Sequence, residues 1–188
     1  DAPPTDASAL KRAAAAMSTR GPDGSGTWRS DDGRVAFAHR RLAIIDLGAS
    51  GAQPMATVDG RYVVVQNGEI YNFRALRREL EAEGRTFVSQ SDTEVLLHLY
   101  DRDGENMVER LRGMYAFVIF DARADLLVAA RDPLGIKPLY FTHLPDRFCF
   151  ASEIKGLVAH PGTERALDDA ALHHFLAFYV VPQPHTLL

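Results

Sequence analysis

The sequence predicts an α+β sandwich in place of a doubly wound parallel sheet, and three observations carry that expectation. Roughly seven or eight short strand-like runs are spread along the chain, and helix-period segments come in pairs at intervals without strict βαβ alternation. The run Tyr62-Val63-Val64-Val65 is apolar on both faces, as a strand covered on both sides is. With 188 residues, 46% hydrophobic and 24% charged, the chain has the length and composition of one globular domain, which excludes disorder, collagen and coiled coil. A formal net charge of −4 gives no overall field to recruit nucleic acid or an anionic membrane. No apolar run approaches the ~20 residues of a membrane span. The single cysteine allows no internal disulfide and no multi-cysteine metal site, which fits a reducing, cytoplasmic setting.

The elements follow in order. Ala7, Leu10, Ala14 and Met17 are spaced by three and four, with Asp6 as N-cap and Gly21 as a stop, so a helix is expected over about 7–18. Arg20-Gly21-Pro22-Asp23-Gly24-Ser25-Gly26 reads as a loop. Strands are expected over 27–29, 34–39 and 42–45, and a second loop over 48–54. The strand Tyr62–Val65 is expected to end at Gln66-Asn67-Gly68. Asn72 then caps a helix with Phe73, Leu76 and Leu80 on one face and Gly84 as its stop. Ser91-Asp92-Thr93-Glu94 has capping-box spacing and opens a helix with Val95, Leu96, Leu99 and Tyr100 on one stripe. Strands are expected at 115–120, 126–130, 139–142 and 147–151, and a last helix at 167–179. Val181-Pro182-Gln183-Pro184 reads as the start of a linker.

Several familiar sites are missing from the sequence. It has no G-x-x-x-x-G-K-[ST] loop, no strand-led G-x-G-x-x-G, no H-E-x-x-H and no G-x-S-x-G. Gly24-Ser25-Gly26 reads better as a turn than as a phosphate loop. His173 and His174 are helix neighbours about 100° apart, poor co-ligands for a metal. Cys149, between Phe148 and Phe150, reads as a small buried hydrophobe.

What remains is a set of polar groups at strand and helix ends, where ligand-facing groups concentrate. A guanidinium grips a carboxylate bidentately and a carboxylate pairs with an ammonium, so Arg41 with Asp92 can hold both ends of an α-amino acid. The Asn67 amide beside the Gly68 N–H can donate twice to a developing oxyanion, which points to acyl transfer. Spacing alone favours the plainer reading, a surface ion pair for Arg41, a hairpin turn for Asn67-Gly68 and a helix cap for Asp92.

Seven blocks decide between these readings: Arg20-Gly21-Pro22-Asp23-Gly24, His39-Arg40-Arg41-Leu42-Ala43-Ile44-Ile45-Asp46, Gly51-Ala52-Gln53-Pro54-Met55, Asn67-Gly68-Glu69-Ile70-Tyr71-Asn72, Ser91-Asp92-Thr93-Glu94, Arg131 to Tyr140, and Ala151-Ser152-Glu153. In this order, over nearly the whole chain, the set resembles the class II glutaminase domain of glutamine-hydrolysing asparagine synthetases. The resemblance implies an N-terminal nucleophile hydrolase fold, two antiparallel sheets sandwiched between helix layers (αββα). It implies L-glutamine as substrate, hydrolysed to glutamate and ammonia for ATP-dependent amide formation. It further implies that Arg41 binds the substrate α-carboxylate, Asp92 the α-ammonium, that Asn67 and Gly68 form the oxyanion hole, and that Leu42, Ile45 and Glu69 also contact substrate.

The departure from the family lies at the front. Members begin with a cysteine whose thiolate attacks the carboxamide while its own α-amino group handles the proton. This chain begins Asp1-Ala2-Pro3-Pro4, and neither Asp1 nor Thr5 can substitute for that cysteine. The expectation is a trimmed piece, inactive as it stands, whose nucleophile lies upstream. The alternative is a degenerate, non-hydrolytic scaffold of the kind found in β-lactam synthetases. By resemblance, residues 1–178 form the glutaminase domain and 179–188 begin a linker to a synthetase domain. ATP and Mg²⁺ belong to that domain, aspartate is the default acceptor, and a homodimer is compatible with the family. No cofactor, metal, nucleic acid or membrane is expected for the glutaminase part.

Overall fold

The computed structural model describes residues 3–188. Asp1, whose carboxylate is no substitute for a cysteine thiolate, and Ala2 lie outside the described residues. Helix α1 (Ala7–Ala16) starts where Asp6 accepts from the Ser8 N–H at 2.8 Å, and ends two residues earlier than expected in a 3₁₀ turn over Ser18–Arg20. Strands β1 (Gly24–Arg29) and β2 (Ala36–Arg41) pair antiparallel, Gly24 opposite Arg41 and Gly26 opposite His39. The glycine-rich stretch expected as loop is therefore strand from Gly24 onward. Glycine serves there because the Gln53 carbonyl oxygen lies where a Cβ on Gly26 would be. Conversely, residues 42–45, expected as a strand, are irregular, because Arg41 folds back on the following loop.

The centre of the molecule is a four-stranded antiparallel sheet. Its strands are β3 (Met55–Ala56), β4 (Tyr62–Ile70), β5 (Gly113–Asp121) and β6 (Leu126–Arg131), in that order. β4 does not stop at Gln66 as expected. It runs to Ile70, with Asn67 opposite Ala116 and Gly68 opposite Tyr115, so Asn67-Gly68 is not a hairpin turn. Gly68 is held at φ 130°, and a Cβ there would run into the Met114 carbonyl oxygen; only glycine passes this point of the ladder.

Alternation along β4 and β5 gives each face of the sheet its own core. Tyr62, Val64, Tyr115, Phe117 and Ile119 pack under α2 (Phe73–Ala82) and α3 (Asp92–Asp103), which contribute Leu76, Leu80, Val95, Leu96 and Leu99. Val63, Val65, Val118 and Phe120 meet Phe37, Trp28, Leu139 and Phe150 from the other side. Those partners lie on or beside the β1–β2 hairpin and the hairpin of β7 (Tyr140–Leu144) with β8 (Arg147–Ala151). Behind the hairpins sit α1 and α4 (Ile154–Val158). The layers are thus helix, sheet, sheet, helix. Among the described residues the second β layer consists of two hairpins that are not hydrogen-bonded to each other.

Two caps differ from expectation. Ser91 does cap α3, accepting from the Thr93 N–H at 3.2 Å, but Glu94 does not close a capping box. Its carboxylate turns to the preceding loop and accepts from the N–H groups of Val88 and Ser89. Asn72 makes no capping bond to α2; its side chain bridges the Arg110 carbonyl and the Arg112 N–H, tying β4 to the entry of β5. The short α4, strand β3 and a 3₁₀ segment over Gly104–Arg110 carry too few residues to show a period and were not expected. The last helix, α5 (Asp169–Phe178), is capped by Asp168, which accepts from the Ala171 N–H.

Candidate functional site

The ends of β2 and β4 and the start of α3 converge on a cavity of about 290 Å³, at the small end of ligand pockets. Arg41, Leu42, Ile45, Asn67, Gly68, Glu69 and Asp92, all singled out from the sequence, line it.

Asp92 is buried at the first turn of α3, where the unpaired N–H groups and dipole of the helix favour a negative charge. Its Oδ2 accepts from the Ile70 N–H at 2.9 Å and from Gln66 Nε2 at 3.1 Å. No cation lies within ion-pair distance of it among the described residues. The Asn67 side-chain Nδ2 is buried and has no hydrogen-bond partner among the described residues. A buried, unpaired donor is an arrangement that folding alone disfavours, and it is what a site prepared for an incoming oxygen needs.

Arg41 is more occupied than the sequence suggests. Nη1 donates to the Gly48 carbonyl at 2.8 Å, and Nη2 to the carbonyls of Ile45, at 3.4 Å, and Asp46. Asp46 has a positive φ of 51°, and its carboxylate accepts from the Gly48 N–H, the Ser50 hydroxyl and, at 2.7 Å, the Gln90 N–H. The Gln90 bond is the main cause that holds the Asp46 carboxyl below the usual carboxylate range. Arg41 therefore anchors the loop that forms one wall of the cavity. Its Nε makes no hydrogen bond among the described residues.

Four further cavity residues escaped the sequence reading. Gln53 donates to Thr93 Oγ1 at 3.2 Å and accepts from the Gln66 N–H at 2.6 Å, clamping β4 to the α3 start. Gln66 lies in the same chain of contacts. His39 Nε2 lies 3.1 Å from the Gln66 carbonyl, which can only accept, so Nε2 carries the proton and Nδ1 is left as an unpaired acceptor. Burial lowers the pKa of this imidazole. Lys137 reaches the cavity from the turn after β6, where the buried Asp132 accepts from the Ile136 and Lys137 N–H groups and Arg131 holds the carbonyls of Gly135 and Lys137. Gln53, His39 and Lys137 sit inside motif blocks, and that was their only signal; Gln66 had none. Cys149 is half-buried away from this cavity, with its thiol pKa raised by burial.

Comparison with known proteins decides the family. The family model described as "Glutamine amidotransferase domain" matches residues 2–188. The chain belongs to that family. This glutamine amidotransferase domain is 48% identical over 169 residues to a protein of Bacillus subtilis (strain 168) named "Asparagine synthetase [glutamine-hydrolyzing] 1". That match covers 89% of this chain and 26% of the relative. A "Putative asparagine synthetase [glutamine-hydrolyzing]" of Mycobacterium bovis is 42% identical over 96% of the domain and 29% of the relative. The domain thus spans about a quarter of the length of these curated relatives. Its fold is that of a solved glutamine phosphoribosylpyrophosphate amidotransferase from B. subtilis, with a TM-score of 0.72 at 25% identity over 83% of this chain and 41% of that one. The N-terminal nucleophile hydrolase architecture expected from the resemblance is thereby borne out. Among the described residues, no helix is long and apolar enough to cross a membrane.

Proposed function

We propose that the domain binds L-glutamine in the Arg41–Asp92 cavity and releases ammonia from it for amide formation by a longer protein of the asparagine synthetase kind, with aspartate as acceptor. The observation that carries this reading is the buried Asp92 carboxylate, with no cation of its own, in one cavity with the unpaired Asn67 amide. Asp92 takes the α-ammonium. Arg41, through Nε and the remaining capacity of its Nη groups, takes the α-carboxylate, while Leu42, Ile45 and Glu69 line the rest. A thiolate adds to the carboxamide carbon, and the oxygen, now negative, is held by Asn67 Nδ2 and the Gly68 N–H. The α-amino group of the same cysteine, having taken the thiol's proton, passes it to the leaving nitrogen as the intermediate collapses to a thioester and ammonia. Water, giving a proton to that amine, then cleaves the thioester to glutamate, and the proton returns to the sulfur.

The thiolate is assigned to an N-terminal cysteine on a segment preceding these residues, so the 188 residues alone are expected to be inactive. In support, an apolar slot of about 380 Å³ lies between β2 and β8, floored by Ala9, Met17 and Leu157 and roofed by Phe120 and Leu127. An extended strand is the shape that fits between two unpaired strand edges. ATP and Mg²⁺ are requirements of the longer protein, which we place in the cytoplasm. The same set of intact polar groups argues against a non-hydrolytic scaffold. An assay of ammonia release, with and without the preceding segment, tests the reading. An electrophilic glutamine analogue is expected to label the upstream cysteine and spare Cys149; labelling of Cys149 with loss of activity overturns the assignment.

A further inference from the structure

Gln66 is a polar residue in a strand that is otherwise apolar up to that point. Alternation along β4 puts it on the side of Tyr62 and Val64, facing α3, where it meets the first residue of that helix, Asp92. Only 4% of it is exposed. Nε2 donates to Asp92 Oδ2 at 3.1 Å, and since a carboxylate oxygen only accepts, this contact fixes which end of the amide is which. The other end, Oε1, is buried with no hydrogen-bond partner.

The backbone of this residue is held on both sides of the side chain. Its N–H donates to Gln53 Oε1 at 2.6 Å, and its carbonyl accepts from His39 Nε2 at 3.1 Å. Both recorded donors to the Asp92 side chain fall on Oδ2, so Oδ1 has no protein partner among the described residues. Two acceptors, one charged and one neutral, are thus without a protein partner among the described residues, on two residues that line the cavity. A primary ammonium, with three N–H donors and one positive charge, matches that pair, whereas a hydroxyl or an acylated amine lacks the charge, the number of donors, or both.

We propose that Gln66 is a specificity residue of the cavity: it orients Asp92 through Nε2 and accepts from the ligand's α-ammonium through Oε1, so that a free primary amine is required on the ligand. This rests on the assignment of Asp92 as the ammonium site and adds to it a residue that discriminates. A neutral amide does so without a further carboxylate directly against Asp92; two touching carboxylates would oppose the second charge by retaining a proton.

Titration calorimetry with L-glutamine and with 4-carbamoylbutanoic acid, the same molecule without its α-amino group, tests the proposal on the wild type and on Gln66→Met. The wild type is expected to prefer glutamine. Gln66→Met is expected to weaken glutamine roughly 10- to 100-fold and to leave the des-amino acid within about threefold, which collapses the discrimination. Equal losses for both ligands, or no loss for either, overturn the role of Gln66 and leave Asp92 in place. A wild type that binds glutamine no better than the des-amino acid overturns the Asp92 assignment and this proposal together. Gln66→Glu serves if the first variant fails to fold. Deprotonation of the introduced acid between pH 5 and 8 is expected to strengthen glutamine and weaken the des-amino acid; a parallel response of the two ligands overturns the proposal.

Discussion

Arg41 donates from Nη1 to the Gly48 carbonyl oxygen at 2.8 Å and so binds the loop after β2 to the end of that strand. The loop then passes the constraint on, because Asp46 within it accepts from the Gln90 N–H just ahead of α3. One guanidinium thus helps to set the distance between two walls of the cavity. This explains why a cation expected to face substrate spends its Nη groups on backbone carbonyls.

Replacing Arg41 by lysine keeps the charge and loses the fork that reaches three carbonyls at once. Arg41→Lys is expected to speed amide hydrogen exchange at Gly48 and Gln90, whose N–H groups depend on the position of Asp46. Glutamine affinity is expected to fall roughly tenfold or more, from the loss of charge-assisted bonds. Weakened binding with unchanged exchange would mean that Arg41 acts on the ligand alone.

Glu94 supplies a pH dependence. Burial by itself would raise its pKa, but the His98 imidazole 3.8 Å away and hydrogen bonds from the Ser89 side chain and from the Val88 and Ser89 N–H groups outweigh that and hold it at about 2, against an ordinary 4.5. The folded value lies below the unfolded one, so the stabilisation is fully present above about pH 4.5 and is lost as pH falls through about 2, a contribution on the order of 3 kcal/mol. Glu94→Gln presents an amide donor to the Ser89 N–H and is expected to cost about 2 kcal/mol near neutral pH. Urea denaturation of both proteins between pH 7 and pH 3 is expected to show the gap narrowing below pH 4.5. A gap independent of pH would remove the carboxylate from this role.

β4 and β5 were legible as apolar runs buried on both faces, and α2 by the helix-period spacing of its buried Leu76 and Leu80. The end of β4 was not, since Asn67-Gly68 is written in the residues of a turn. What keeps it a strand is Ala116 and Tyr115 opposite, a pairing with residues nearly fifty positions away that no local window contains. The site divides in the same way. The residues with a role in the resemblance could be read from it, but Gln53 and His39 carried no role within their motifs and Gln66 lay outside them. Only the fold brings Gln66 against Asp92, Gln53 against Thr93 and the Gln66 N–H, and His39 against the Gln66 carbonyl. Lys137 was hidden by its turn, whose purpose is visible only once the Asp132 carboxylate is seen to fold it towards the cavity.

Asn67 gives the sharpest division between a structural and a chemical role. Its backbone belongs to the β4–β5 ladder and would persist with any side chain that tolerates a strand, while its Nδ2 has no protein partner to lose. Asn67→Ala is therefore expected to leave the melting temperature almost unchanged. On the reading proposed for the cavity, that same Nδ2 meets an oxygen that becomes negative only as the tetrahedral intermediate forms, so its removal acts on the transition state and little on the bound ground state. In a preparation that hydrolyses glutamine, kcat is expected to fall by about 10²–10³, corresponding to ~2.7–4 kcal/mol, with KM within a few-fold. Both quantities are to be measured on the same preparation. A lowered melting point with near-normal kcat would return Asn67 to a purely structural role and withdraw the oxyanion hole from this end of β4.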